Sequence, residues 1–143
     1  MFSKACEYGI RAVMYIVAKT RDGSKAGIRE IARFTDSPEP FIAKILQLLS
    51  KKGIISSTKG PNGGFFVDGS PRIALIDIVR ALDGDSLFLS CGLGIKNCSE
   101  RKPCPIHDQY KAIRENLIAM LKKSYVQDLA DGVVKGETFL VKR

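Results

Sequence analysis

The spacing of apolar residues divides the first third of the chain into three helices. Apolar side chains recur at three- and four-residue intervals over residues 2–20, which predicts an amphipathic helix. The same period covers residues 28–34, and it returns after the break at Pro38 and runs to about Lys52. In the third helix the positions between the apolar residues are polar, namely Lys44, Gln47, Ser50 and Lys51.

The pattern changes after Gly53. Short β-type runs at 54–58 and 65–67 flank a glycine-rich stretch, and an Asn-Gly pair between two such runs predicts a β-hairpin. A fourth helix is predicted over 73–82. Helices followed by a hairpin in this order predict a fold that is mainly α with a small β-hairpin wing, a winged helix-turn-helix.

The second half of the chain has a different composition. Residues 84–104 are rich in Gly, Ser and Asn and contain three cysteines. A long helix is predicted from about 105 to 124, with apolar residues close to heptad spacing. The tail from 131 to 143 shows only one short apolar run, at 139–141.

The charge of the chain favours a polyanionic partner, either nucleic acid or an anionic membrane surface. The formal net charge is +8. Residues 1–72 hold 12 Lys and Arg against 6 Asp and Glu, whereas residues 73–143 hold 11 against 9. A nucleic-acid surface is therefore expected in the N-terminal half.

The length of the apolar runs limits the cellular compartment in which the protein is expected. None approaches the roughly 18 residues of a membrane span. The first residues contain no apolar signal-peptide core, so we expect a cytoplasmic protein that does not enter a membrane. Thiols stay reduced in the cytoplasm, so the four cysteines of the chain are better suited to metal or redox chemistry than to disulfides.

The third helix and the hairpin are candidates for contact with double-stranded DNA. A helix fits the major groove, and a basic hairpin beside it can reach phosphates or the minor groove. The competing interpretation is a small helical domain with a solvated polar face. The candidate DNA-binding residues are Pro40, Phe41, Lys44, Gln47, Thr58, Lys59, Gly60, Asn62 and Gly63.

Cys91, Cys98 and Cys104, followed by His107, form a candidate metal site. Thiolates are soft ligands that select iron–sulfur clusters, zinc or copper(I). Structural zinc sites usually contain cysteines two residues apart, which are absent here. An iron–sulfur cluster, a structural zinc ion and free thiols all remain open from spacing alone, and His107 could equally cap its helix.

Cys6 and Glu7 in the first helix are the remaining candidates for site chemistry. Cys6 falls on the apolar face and is expected to be a core thiol. Glu7 is an unusual but possible metal ligand, although a carboxylate at this position is more often solvated. The sequence contains no phosphate-binding Gly-Lys loop and no zinc-protease motif, so we expect no enzyme activity.

The chain resembles the winged-helix regulator family that includes IscR, NsrR and CymR. The resemblance covers nearly the whole chain in order. It rests on stretches 7–12, 28–32, 41–46 and 49–53, on the wing sequence Lys-Gly-Pro-Asn-Gly-Gly-Phe at 59–65, and on the three-cysteine loop before a long helix.

The resemblance implies a homodimer that binds a palindromic operator, usually as a repressor. It implies a winged-helix DNA-binding domain at 1–83, a cluster loop at 84–104, a dimerisation helix at 105–130 and a tail at 131–143. Cys91, Cys98 and Cys104 would hold the cluster. The fourth ligand would be His107 in a 2Fe–2S cluster, or Glu7 of the partner subunit in a 4Fe–4S cluster.

On this interpretation a change at the cluster alters the separation of the two recognition helices. A dimeric DNA-binding protein needs a fixed distance between its two half-sites, so its affinity for the operator changes as well. The signal would be redox state, nitric oxide or iron–sulfur status. Two rival functions remain. One is a winged-helix scaffold with a structural zinc site that acts through protein contacts, and the other is an electron-transfer protein.

Overall fold

The computed structural model describes residues 1–69 and 71–140. No helix in this part of the chain is long and apolar enough to cross a membrane. The last residue of the apolar run at 139–141 lies outside the described residues. The elements in chain order are α1 (Lys4–Lys19), α2 (Ile28–Thr35), α3 (Glu39–Lys51), β1 (Ser56–Thr58), β2 (Gly64–Phe66), α4 (Leu75–Asp83), α5 (Ser86–Leu89), α6 (His107–Lys123) and α7 (Val126–Val134).

The core of the domain is built around α1, which packs against α2, α3, α4 and α7. The apolar face predicted for α1 is buried, and the matching face of α3 lies against it. Removing these side chains from water is the main stabilising contribution to such a fold. The mainly helical fold with a small hairpin, predicted from the pattern, is confirmed. The buried residues that these two helices contribute include Ala12, Val13, Ile16, Ile42, Ile45, Leu46 and Leu49.

The wing is a two-stranded antiparallel hairpin in which Thr58 pairs with Gly64. Its first strand is shorter than the predicted run at 54–58, because Ile55 is buried in the core instead of pairing in the hairpin. Gly63 closes the connecting turn by donating its N–H to the carbonyl of Gly60 at 2.9 Å. A Cβ at Gly63 would lie 2.2 Å from the Thr58 carbonyl oxygen, so only glycine fits this turn.

The long helix predicted from about 105 to 124 is confirmed as α6, but it does not continue to 130 as expected for the dimerisation helix. The chain leaves helical geometry at Ser124 and resumes it in α7, which returns to pack on α1. The break has a non-local cause: the N–H of Leu75 donates to Ser124 O at 2.9 Å, and the N–H of Val126 donates to Ile73 O at 2.8 Å. The segment assigned to dimerisation thus ends at Lys123, and α7 belongs to the core of the winged helix. The short helix α5 was not predicted either.

Candidate nucleic-acid interface and cysteine site

One face of α3 is exposed along its length. Pro40, Phe41, Lys44 and Gln47, all predicted from sequence, lie on this face, while the opposite face is buried. Phe41 is held by α1, because the ring of Tyr8 meets it edge-on at 5.6 Å between centroids. The structure therefore presents two polar side chains of α3 to solvent beside an aromatic ring.

The wing presents a second exposed group of predicted residues. Thr58, Lys59, Gly60 and Asn62 are exposed, and Gly63 is half-buried in the turn. Gly60 has a φ of +101°, in the left-handed region that glycine adopts without strain. A lysine and backbone N–H groups at an exposed glycine-rich tip can bind phosphate oxygens of a nucleic acid.

The cysteine site consists of two close pairs of donor atoms. The sulfurs of Cys91 and Cys104 lie 3.6 Å apart, and Cys98 Sγ lies 3.6 Å from Nδ1 of His107. Cys91 and His107 are buried, whereas Cys98 and Cys104 are partly buried. Within the described ranges, no three Cys, His, Asp or Glu side chains are grouped closely enough to hold one metal ion.

His107 is the buried donor without a full set of partners. Its side chain is 7% exposed, and its Nε2 atom is buried with no hydrogen-bond partner among the described residues. A cavity of about 250 Å³ adjoins His107 and the three cysteines. A buried polar atom without a partner is costly in a folded protein unless a ligand or water satisfies it.

The loop stabilises Cys91 as a thiolate, the form that binds metals. The backbone N–H of Leu93 donates to Cys91 Sγ at 3.4 Å. This N–H and that of Ile95 lower the pKa of the Cys91 thiol below its ordinary value, because they favour the charged form. Backbone N–H groups of the loop thus favour the form of Cys91 that binds a metal.

Two cations on α6 that sequence reasoning missed face the cysteine loop. Arg114 Nη1 donates to the carbonyl of Ser90 at 2.9 Å and lies 3.9 Å from Cys98 Sγ. Lys111 forms an ion pair with Glu100 of the loop. Both residues lie on the face of α6 that also carries His107, at helical spacing of three and four, and that spacing is the signal that could have identified them.

The two candidates in α1 lie in contrasting environments. Cys6 is fully buried, and burial together with the nearby Asp83 carboxylate raises the pKa of its thiol to about 12. Cys6 is therefore a core thiol, as predicted. Glu7 is exposed and pairs with Lys4 at 3.3 Å. Its carboxylate is accessible to another molecule.

Comparison with known proteins identifies the family. The family model described as Rrf2, iron-dependent transcriptional regulator, matches residues 2–132. The chain belongs to the Rrf2 family. Rrf2 proteins are transcriptional regulators rather than enzymes, and the winged helix with its exposed α3 and wing is a DNA-binding fold.

The relatives of this Rrf2 chain are similar over most of their length. A protein of Aquifex aeolicus, provisionally named an HTH-type transcriptional regulator, is 32% identical over 132 residues, 90% of each chain. A protein of Rhodobacter capsulatus with a similar provisional name, "rrf2-like", is 28% identical over 88% of this chain and 84% of its own.

Two solved structures share the Rrf2 fold. CymR, the global cysteine regulator of B. subtilis, superposes with a TM-score of 0.75 at 22% identity, covering 92% of this chain and 96% of CymR. IscR of T. potens superposes with a TM-score of 0.72 at 16% identity, covering 99% and 93%. At these identities the likeness shows the fold, which is the winged helix predicted from the sequence.

Proposed function

We propose that this Rrf2 regulator is a homodimer whose affinity for a palindromic DNA operator depends on an iron–sulfur cluster bound by Cys91, Cys98, Cys104 and His107. The observation that carries the cluster assignment is the arrangement of these donors as two close pairs beside a cavity. The description of the family as iron-dependent supports it. The protein acts in the cytoplasm, where duplex DNA and reduced thiols occur together.

The donor set fits a 2Fe–2S cluster. Each iron of such a cluster takes two protein ligands, and histidine can replace cysteine among them. Two thiolates on one tetrahedral metal with bonds near 2.3 Å lie about 3.8 Å apart, and a thiolate and an imidazole nitrogen lie about 3.5 Å apart. The sulfurs of Cys91 and Cys104 are 3.6 Å apart, and Cys98 Sγ is 3.6 Å from Nδ1 of His107. His107 is the fourth ligand in this arrangement, because its Nδ1 forms the second close pair with Cys98 Sγ. When bound, the cluster supplies an iron centre whose oxidation, nitrosylation or loss can act as the signal.

A second candidate for the cofactor is a 4Fe–4S cluster completed by Glu7 of the partner subunit. The exposure of the Glu7 carboxylate favours it. In that arrangement Glu7 would exchange its ion pair with Lys4 for iron. The iron and sulfide content of the protein distinguishes the two clusters.

The homodimer is supported by an exposed apolar stripe that begins at the N-cap of α6 and continues along the helix. Ile106, Ile113 and Met120 follow one another at intervals of seven residues and are 36%, 61% and 49% exposed. Residues at this spacing lie on one face of a helix, and a second helix of the same kind covers such a face in a coiled coil. The helix follows the cysteine loop directly, so that a dimer formed through it holds the site near the subunit interface.

The chain itself connects the cysteine loop to the recognition helix α3. Asp83, just before the loop, accepts hydrogen bonds from the N–H of Ser3 at 2.9 Å and from its hydroxyl. Ser3 caps α1 by accepting the N–H of Cys6 at 3.0 Å. Tyr8, one turn further along α1, contacts Phe41 of α3. A shift of the loop thus moves α1 and α3 together, and in a dimer it changes the distance between the two recognition helices.

The decisive experiment is a spectroscopic and metal analysis of protein purified without oxygen. We expect visible absorption with about two irons and two sulfides per chain, and four of each would favour the 4Fe–4S alternative. His107→Ala should bind less iron, whereas Gln109→Ala, an exposed neighbour on the same helix, should not. Zinc without sulfide would contradict the cluster and favour the scaffold function.

A binding assay then tests the coupling between the site and DNA. Cluster-bound and cluster-free protein are titrated with operator fragments selected from a random duplex library, in the same salt. We expect their affinities to differ by about 5- to 150-fold. Equal affinities would contradict the proposed regulation and leave DNA binding intact.

A further inference from the structure

The loop that precedes α2 is joined to the wing. Ala26 and Phe65 exchange backbone hydrogen bonds, each N–H donating to the other's carbonyl at 2.8 Å. Gly64 lies against this loop, because a Cβ there would approach the Ala26 carbonyl oxygen to 2.8 Å and the Lys25 side chain to 3.1 Å. The loop at 22–26 and the hairpin therefore form one structural unit, although some forty residues separate them in the sequence.

Lys25 is the basic residue of this loop. It is exposed, and its Nζ lies 5.7 Å from the ring centroid of Phe66 in β2. Lys25 forms no ion pair with any residue in the described ranges. A groove of about 390 Å³ runs between the loop and the wing tip, and it is lined by Gly23, Ser24, Lys25, Asn62 and Gly63.

We propose that Lys25 binds a DNA phosphate next to the one reached by the wing, so that the DNA surface includes the 22–26 loop as a third contact segment. The proposal rests on the DNA-binding function proposed above. A positive charge beside an exposed wing tip, without an ion pair to any carboxylate in residues 1–69 and 71–140, is the arrangement that binds a phosphate backbone. Asn62 and the backbone of Gly63, which share the groove, supply further polar groups for the same strand.

A purely structural role for Lys25 makes a different prediction. If the side chain only packs over Phe66, its loss weakens DNA binding equally at every salt concentration. A phosphate contact instead releases counterions, so its loss changes the slope of log K against log salt. The slope therefore separates the two roles.

The test uses a mixed-sequence duplex of about three helical turns, because phosphate contacts need no operator. Affinity is measured by fluorescence anisotropy in KCl from about 50 to 200 mM. The variants are Lys25→Gln, the charge-preserving Lys25→Arg, and Lys123→Gln as a matched control. Lys123 is an exposed lysine in the last turn of α6, a helix that packs on α4 and α5.

Lys25→Gln is expected to lower the magnitude of the slope by about 0.9 for each subunit, or about 1.8 for a dimer. The ratio of the wild-type binding constant to that of Lys25→Gln then falls about twelvefold from the lowest to the highest salt concentration. Lys25→Arg and Lys123→Gln should keep the wild-type slope. An unchanged slope for Lys25→Gln overturns the proposal while leaving the DNA-binding function standing. Failure of the wild type to bind any duplex overturns both.

A second measurement needs no substitution. Lysines of the wild-type protein are acetylated briefly with acetic anhydride, with and without the duplex, and the modified positions are read by mass spectrometry. Lys25 should be protected by DNA, and Lys123 should not. Equal acetylation of Lys25 in both samples would overturn the proposal.

Discussion

The ring of Tyr8 in α1 meets the ring of Phe41 in α3 nearly at a right angle, with an interplanar angle of 85°. The guanidinium of Arg11 lies over the ring of Tyr8, 4.7 Å from its centroid. Edge-to-face pairs prefer this geometry because the positive edge of one ring faces the negative face of the other. The contact joins the helix that begins beside the cysteine loop to α3, the proposed recognition helix.

We predict that Tyr8 and Phe41 are energetically coupled. In a double-mutant cycle with Tyr8→Leu and Phe41→Leu, the coupling in the free energy of unfolding should be about 1 kcal/mol. Urea denaturation measures it. Strict additivity of the two substitutions would show that the rings touch without stabilising each other. A different contact would then have to couple α1 to α3.

The turn of the wing provides the second prediction. Gly63→Ala places a Cβ against the Thr58 carbonyl and forces the turn open, so DNA affinity should fall at least about tenfold while the helical core stays folded. Gly27→Ala is the matched control, because a Cβ there meets only Glu30 Oε1, at 3.9 Å, and its φ of −79° suits alanine. Circular dichroism measures the helical content of each variant, and fluorescence anisotropy measures its DNA affinity on the same samples. Wild-type affinity in Gly63→Ala would exclude the wing tip from the DNA surface.

Arg114 is predicted to support the cluster without ligating it. Arg114→Met removes the donor to Ser90 O and to Cys98 Sγ, and the loss of such a supporting group costs about 10- to 100-fold in metal affinity. Iron loss to a chelator, followed anaerobically by absorbance, should be faster in this variant. Arg101→Met, at an exposed position in the same loop, should retain iron like the wild type. Equal retention by both variants would assign Arg114 to the folding of the loop alone.

Cys6 should resist alkylation in the folded protein. Its thiol has a pKa of about 12 against an ordinary 9.0, so at pH 8 only about one molecule in ten thousand carries the thiolate. Iodoacetamide should modify Cys6 only in urea, whereas the partly buried Cys98 of cluster-free protein reacts without denaturant. Modification of Cys6 at the same rate as Cys98 would contradict its burial.

The same pKa fixes the sign of a pH effect on stability. Between pH 9 and 12 the unfolded chain releases the Cys6 proton while the folded chain keeps it. The contribution of Cys6 is therefore fully present below pH 9 and is lost as the pH rises towards 12. Replacing Cys6 with alanine should weaken the alkaline fall in stability measured by urea denaturation.

Periodicity predicted the parts of the fold that local physics determines. Apolar residues recur every three to four positions in α3, which gives the helix one apolar and one polar face. The Asn62-Gly63 pair marks the turn that only glycine closes. Ligand chemistry and spacing likewise led to Cys91, Cys98, Cys104 and His107, which the structure places around one cavity and whose role as ligands stays a prediction. These signals lie within short windows of the chain.

Long-range pairing determined what the sequence did not predict. The end of the long helix near Ser124 was predicted, but the helix α7 that follows it was not, and α7 is held in place by backbone hydrogen bonds of Ser124 and Val126 with residues 73–75. Lys25 likewise gains its place beside the wing only through the pairing of Ala26 with Phe65. Arg114 reaches Cys98 because the loop folds back on α6. Such contacts depend on the assembled chain and leave little trace in a single window.

The return of α7 to α1 has a consequence for synthesis of the protein. Val126 and Ala130 are fully buried in the same core as α1, and Arg21 at the end of α1 pairs with Asp131. The apolar face of α1 is therefore fully covered only when α7, about a hundred residues later in the chain, has been made. Folding of the winged-helix domain is completed only after α7 has been synthesised, and until then the nascent chain exposes an apolar surface that chaperones can bind.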